Sequence, residues 1–288
     1  MRIQHTFINA KAILYLVATP IGNIADLSFR AVQILKEVSY ILAEDTRRSK
    51  IILDTYGIKN KIISLNQYNE KKRLYQVLEW LKQGKNLALI SDSGTPLISD
   101  PGFILVREIQ KSDFHVTTIP GASAFLAAFT ISAFSLPFVF LGFLPKKNNS
   151  KIQTLIKYRF WTETLIFYES PKRVLDTLIL LKEYFPCRKI VLMKELTKKF
   201  ETLIFGTIEE ILKQNLSFKG EYVLVIEGCK NLENYQNISL EEAIIFWKHK
   251  GLTEKETFAK ISQIHNFSKK DIYHKYKIQS ISKKEKEI

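Results

Sequence analysis

Charged side chains gather where apolar runs of this sequence stop. Glu44, Asp45 and Arg47 follow YILA in the segment EDTRRS, and Lys172 and Arg173 follow TLIFYE in ESPKR. Carboxylates at strand ends can take a proton from a reacting hydroxyl, and neighbouring cations can hold a phosphate or a developing oxyanion. Ordinary roles compete with these. Glu44 with Arg47 reads equally well as an ion pair at a helix start, where acidic residues are favoured. Lys172 and Arg173 follow Ser170-Pro171, a predicted N-cap and first helical position, so they fall in a first turn that disfavours cations and points to a bound anion. Glu44, Asp45, Asp92 and Asp100 could also form a carboxylate-only magnesium site, although such residues serve as often as turn formers or N-caps.

Three further segments combine glycine, proline and small hydroxyl residues after apolar runs: LYLVATPIGN (14–23), LISDSGTPLISDPG (89–102) and IPGASA (119–124). Turns of this composition let main-chain amides approach a small molecule closely. Taken singly, Gly94, Pro96, Gly102 and Gly121 serve as turn residues and Ile98 as core; several such loops at strand ends favour a ligand cleft. No GxGxxG follows a strand and no GxxxxGK[ST] occurs, so the usual dinucleotide and P-loop signatures are missing. Five scattered histidines form no HxxxH or Cys-His set.

The elements that position these loops alternate between short aliphatic runs and helical patterns, as in α/β layers. Strands are predicted over 13–19, 40–44, 87–92 and 115–119, and a second series over 138–143, 164–169, 189–195, 202–205 and 222–227. From Glu70, Leu74, Val77, Leu78 and Leu81 share one helical face and Gly84 supplies the C-cap. Residues 146–150 read as a solvated loop. After Gly228 the pattern turns to short helices carrying Leu240, Ala243, Ile244 and Trp247, then Phe258, Ile261 and Ile264, then Ile272 and Tyr276. Ser239, Thr253 and Ser268 occupy N-cap positions. The organisation expected is an N-terminal α/β domain over 1–135, a second α/β domain over 136–230 and a helical appendage over 231–288, with a cleft between the α/β domains.

The 288 residues are 46% apolar, enough for sizeable cores. No apolar run reaches membrane-spanning length and the start lacks a signal-peptide pattern, so a cytoplasmic protein is expected. Two cysteines, Cys187 and Cys229, exclude a disulfide framework and predict reduced buried thiols. A net charge of +14 suits a polyanion partner and equally suits drift toward AT-rich codons. From Lys255 onward the basic excess could touch RNA phosphates or form a solvated surface.

These segments, with FLGFLP, LIFYESPKRV, MKELTKKFET and KGEYVLVIEG, resemble the ribosomal-RNA branch of the tetrapyrrole methylase superfamily, in collinear order from about Ile13 to Gly228. Tetrapyrrole-modifying relatives commonly have Gly-Asp-Pro where Gly94-Thr95-Pro96 stands, which favours the rRNA branch. The resemblance implies a homodimer that binds S-adenosylmethionine between two α/β domains and methylates a cytidine ribose 2'-hydroxyl of small-subunit (16S) rRNA near the decoding centre. By motif position, Gly94, Thr95, Ile98, Ser123, Ala124, Tyr168 and Leu196 would hold the cofactor, and no metal is required. Glu44 and Asp45 become candidates for proton handling, and Arg47, Lys172 and Arg173 for phosphate or oxyanion contacts. A tetrapyrrole methyltransferase and a cofactor-free RNA-binding scaffold are the alternatives.

Overall fold

A computed structural model describes residues 3–8, 11–214, 219–230, 239–249, 251–265, 268 and 270–274. The chain divides into two compact units, Met1–Ala128 with Glu195–Thr202, and Phe129–Lys194 with Leu203–Ile288. The first division falls inside a helix rather than near Leu136, and one short segment from the second half of the sequence belongs to the first unit.

The first unit runs β1 (Ile13–Val17), α1 (Phe29–Glu37), β2 (Tyr40–Ala43), α2 (Thr46–Thr55), β3 (Lys61–Ser64), α3 (Glu70–Lys82), β4 (Leu87–Ile90), α4 (Phe103–Gln110), β5 (His115–Ile119) and the start of α5 (Ala124–Ser132). Its sheet has the order β3-β2-β4-β1-β5 with every pair parallel. A parallel sheet buries both faces. Ile13, Tyr15 and Val17 accordingly join Leu35, Ile41 and Ala88 on one side, while Leu14 joins Leu42, Leu81, Leu89 and Leu105 on the other. The helix expected from Glu70 forms, and Gly84 follows it at φ +76 with its N–H bonded to the Leu81 carbonyl.

Strand β3 was not expected from the sequence: KIIS is four residues long and only partly buried at the sheet edge. Strands β1, β2 and β4 stop at Val17, Ala43 and Ile90, so Thr19, Glu44 and Asp92 lie in loops. At the other edge, the Gln4 carboxamide donates to the Val116 carbonyl at 2.9 Å and accepts from its N–H at 3.3 Å.

The second unit contains the rest of α5, β6 (Phe138–Phe143), α6 (Asn148–Tyr158), β7 (Thr164–Glu169), α7 (Val174–Tyr184), β8 (Lys189–Lys194), β9 (Thr202–Thr207), α8 (Ile208–Leu212), β10 (Tyr222–Ile226), α9 (Leu240–His249) and α10 (Glu254–His265). Its mixed sheet has the order β6-β7-β10-β8-β9, with β6 parallel to β7 and β10 antiparallel to both neighbours. Phe167, Leu178, Phe185, Leu192 and Leu224 build its core.

Helices α9 and α10 pack Leu240, Ala243, Phe246, Phe258 and Ile261 onto Phe160 and Cys229. The expected N-caps at Ser239 and Thr253 form reciprocal capping boxes with Glu242 and Glu256. Tyr276 and the last basic residues lie outside the described residues. Three expectations are corrected. Asn148–Ser150 form the first turn of α6 rather than a loop, α7 begins at Val174 rather than at Pro171, and Cys187 is exposed, only Cys229 being buried. Among the described residues no helix is long and apolar enough to cross a membrane.

Candidate active site

Strand order places the candidate loops of the first unit. From β1 the chain leaves toward β2, and from β4 toward β5, in opposite directions across the sheet. The carboxyl ends of the adjacent β1 and β4 are therefore the topological switch point, where open α/β sheets bind ligands. There Thr19 and Gly94 form an antiparallel bridge, with Thr19 N–H donating to Gly94 O at 2.8 Å and Gly94 N–H to Thr19 O at 3.0 Å. Ser91 Oγ donates to the same Gly94 carbonyl at 3.0 Å, and Thr95 Oγ1 donates to Ala122 O at 3.2 Å. The loops after β1, β4 and β5 are thus joined into one surface.

That surface is nearly side-chain-free at its centre. Gly94 has φ +82, and a Cβ there would lie 3.3 Å from Ile21 Cγ2; a Cβ on Gly121 would lie 3.0 Å from Ala18 Cβ. The loop continues with Leu97 at φ +70 and Ser99 at φ +71. Left-handed backbone costs a residue with a Cβ roughly 1–2 kcal/mol, and such strain concentrates at functional sites. Ile98, Ser123 and Ala124 are half-buried beside these turns.

The carboxylates gather one strand away. Asp45 caps α2 and its carboxylate accepts from Arg47 N–H at 2.9 Å, Nε at 3.1 Å and Nη2 at 2.8 Å. These bonds hold Asp45 far below the ordinary carboxylate range. Asp92 accepts from Asp45 N–H at 3.0 Å and pairs with Arg48 at 3.4 Å. Glu44 is shifted the other way, raised first by burial and then by the charges of Asp92 and Asp45, against a lowering by Arg48. Burial and the charges of Glu44 and Asp92 push Asp100 up to about 7, against the pull of a Ser91 hydrogen bond. Among the described residues no group of three or more His, Cys, Asp or Glu is arranged to hold a metal ion.

Leu196 belongs to a segment that joins the first unit at the turn after β1. Asn23 N–H donates to Thr197 Oγ1 at 3.0 Å, and a Cβ on Gly22 would lie 2.8 Å from that oxygen and 3.0 Å from Leu196 O. Glu195 and Thr197 both have positive φ, +53 and +65. Leu196 is buried, while Lys199 and Phe200 are exposed.

In the second unit Tyr168 sits near the end of β7, edge-on to Phe140 and Phe143 at centroid distances of 5.0 and 5.4 Å. The next residue, Glu169, is buried and accepts from Arg173 Nη2 at 2.6 Å, Ser170 N–H at 2.7 Å and Thr177 Oγ1 at 2.7 Å. Arg173 also donates to Ser170 Oγ and Leu144 O. Its guanidinium is committed to holding the ESPKR turn, and Lys172 is the exposed cation of that turn.

Sequence reasoning named Asp92 and Asp100 only as conceivable metal ligands and passed over Arg48 and Glu169. The signal for Glu169 was present: an acidic residue ending a strand of otherwise apolar residues, four positions before an arginine.

Residues 13–212 match the family model described as Tetrapyrrole (Corrin/Porphyrin) Methylases. Among curated proteins, the chain is similar to Ribosomal RNA small subunit methyltransferase I of Bacillus subtilis, 39% identical over 92% of this chain and 94% of that protein. It is also similar to the protein of that name in Mycoplasmopsis pulmonis, 46% identical over 74% of this chain and 96% of the relative. Among solved structures, uroporphyrin-III-C-methyltransferase from Thermus thermophilus covers 75% of this chain and 92% of its own at TM-score 0.52 and 15% identity. A diphthine synthase covers 75% and 90% at TM-score 0.57 and 11% identity. At such identities the solved structures speak for the fold alone.

Proposed function

Because this chain belongs to the tetrapyrrole (corrin/porphyrin) methylase family, we propose that it transfers the methyl group of S-adenosylmethionine to the ribose 2'-hydroxyl of a cytidine in small-subunit rRNA, near the decoding centre. The observation that carries the substrate is the likeness to relatives named for small-subunit rRNA methylation, which extends over 92% of the chain. The positive net charge also suits RNA.

The cradle of the first unit suits this cofactor: glycine main chain at the centre, hydroxyls of Thr95 and Ser123, and apolar Ile98 at its side. We assign cofactor contacts there to Gly94, Thr95, Ile98, Ser123, Ala124 and Leu196, and in the second unit to Tyr168. When bound, S-adenosylmethionine supplies an activated methyl, so no covalent nucleophile is needed. The protein's tasks are to hold the ribose oxygen in line and to take its proton.

Glu44 takes the proton in this reading. Its raised pKa makes it a better acceptor at neutral pH than an ordinary carboxylate, and burial first, then the charge of Asp92, keeps it raised. Asp45 is assigned the helix cap and the hold on Arg47 in place of proton transfer, because Arg47 stabilises its ionised form. Arg47, with its guanidinium 89% exposed, and Lys172 are assigned RNA phosphates. Arg173 positions Lys172 instead of touching the substrate. The same reading makes the working form a cytoplasmic homodimer acting on rRNA within the ribosomal subunit.

The test is transfer of labelled methyl from S-adenosylmethionine to purified small subunits lacking this modification, followed by nuclease mapping and separation of sugar from base products. Label on a ribose of a decoding-region cytidine, strongly reduced by Glu44→Gln and Lys172→Ala, supports the assignment. Wild-type transfer that neither substitution changes removes those two residues from it, and no transfer to subunits or free rRNA removes the substrate.

A further inference from the structure

Between β8 and β9 the chain makes an excursion, Glu195–Thr202, whose conformation stability alone does not explain. Two non-glycine residues in it, Glu195 and Thr197, adopt left-handed backbone, a conformation strained for any residue with a Cβ. The excursion is nonetheless firmly held. Lys198 N–H bonds to Glu195 O and Glu201 N–H to Lys198 O, both at 3.0 Å. Thr197 N–H donates to Glu201 Oε2 at 2.6 Å, and Lys198 Nζ reaches Glu195 Oε1 at 2.9 Å. Asn23 anchors it to the turn after β1, where Gly22 makes room for it.

At the tip of this braced segment Phe200 is 70% exposed, with Lys199 Nζ 5.8 Å from its ring centroid. Burying a phenylalanine ring stabilises a fold, so leaving one exposed forgoes that gain. A fold that spends strain to hold one outward, beside a lysine and against the turn that adjoins the candidate site, presents a ring for something else.

We propose that Glu195–Thr202 is a landing surface for single-stranded RNA, on which Phe200 stacks an unpaired nucleobase and Lys199 meets a backbone phosphate. An aromatic face with adjacent cations suits unpaired RNA, because every base has a π-face and every nucleotide a phosphate. This deepens the reading of the chain as an rRNA methyltransferase and rests on it. The surface brings the acceptor strand next to the turn carrying Asn23, on the unit that holds the cofactor cradle.

The test measures binding of the full chain to a fluorescently labelled single-stranded pyrimidine RNA, with methyl transfer to small subunits and S-adenosylmethionine affinity determined in parallel. The variants are Phe200→Ala, Phe200→Leu, Phe200→Trp and Lys199→Ala. Phe200→Ala and Phe200→Leu are expected to weaken RNA binding about tenfold to a hundredfold and to raise KM for subunits. Phe200→Trp should restore both, and cofactor affinity should be unchanged throughout. Lys199→Ala should reduce the slope of log affinity against log salt by about 0.7. If Phe200→Leu binds like the wild type, or if Phe200→Ala changes only the sedimentation of the protein, the proposal is overturned and the ring serves a protein contact. Failure of the wild-type chain to methylate rRNA would instead remove the function on which the proposal rests.

Discussion

Lys151 and Glu169, each 2% exposed, are joined through one hydroxyl: Lys151 Nζ donates to Thr177 Oγ1 at 3.0 Å, which donates to Glu169 Oε2 at 2.7 Å. With Arg173 on its other oxygen, Glu169 is the single carboxylate between two cations. Removing the shared anion leaves charge uncompensated, which costs about 3–5 kcal/mol for a buried pair. Glu169→Gln should therefore lower the urea midpoint far more than Lys151→Met, which leaves the Glu169–Arg173 pair intact. Equal losses would contradict this account of the network.

The Asp100 carboxyl titrates at about 7 in the folded chain, against an ordinary 3.8. Between those values the folded state holds more protons than the unfolded one, so stability falls as pH rises from about 4 through 7. Asp100→Asn should flatten this dependence, giving a variant that gains on the wild type as pH increases. Thermal melts at pH 5, 6, 7 and 8 read the effect directly; parallel curves for the two proteins would refute it.

In the proposed assignment, proton handling separates Glu44 from its neighbour. Glu44→Gln should reduce single-turnover methyl transfer by roughly 10²- to 10⁴-fold, the usual contribution of a positioned base. Asp45→Asn should keep the wild-type shape of the pH–rate profile, its loss confined to stability through the α2 cap. A profile altered by Asp45→Asn alone would reverse the two roles.

Gly94→Ala and Gly22→Ala address the two close approaches. Gly94→Ala forces a Cβ into left-handed backbone against Ile21, for about 1 kcal/mol of stability, and should weaken S-adenosylmethionine binding measured by calorimetry. Gly22→Ala meets Thr197 and the Leu196 carbonyl, so it should displace the excursion and increase proteolysis within 195–202.

Much of this architecture was legible because strands buried on both faces write themselves as aliphatic runs; β4, LALI, is buried at every position. β3 was not, because a short edge strand flanked by lysine and asparagine has neither the length nor the burial that pattern requires. Loop composition marked the turn at Gly94 as a candidate, yet the Thr19–Gly94 bridge joins residues 75 positions apart and has no local signature. For Arg173 the charge and the acidic residue four positions before it were both visible, but that Glu169 is buried and takes up the guanidinium depends on the turn before α7, which has no local signature. The same holds for Asp45, whose pairing with Arg47 depends on helix geometry beginning at Thr46.

The amide of Gln4 has a consequence beyond the first unit's own stability. A parallel strand at a sheet edge turns alternate N–H and C=O groups outward, and an open pair of that kind is a template on which other chains can add. By taking both groups of Val116, one side chain imitates a neighbouring strand one residue long. Gln4 thus occupies the outward main-chain groups of β5 at Val116, and another chain adding a strand along this edge would first have to displace it.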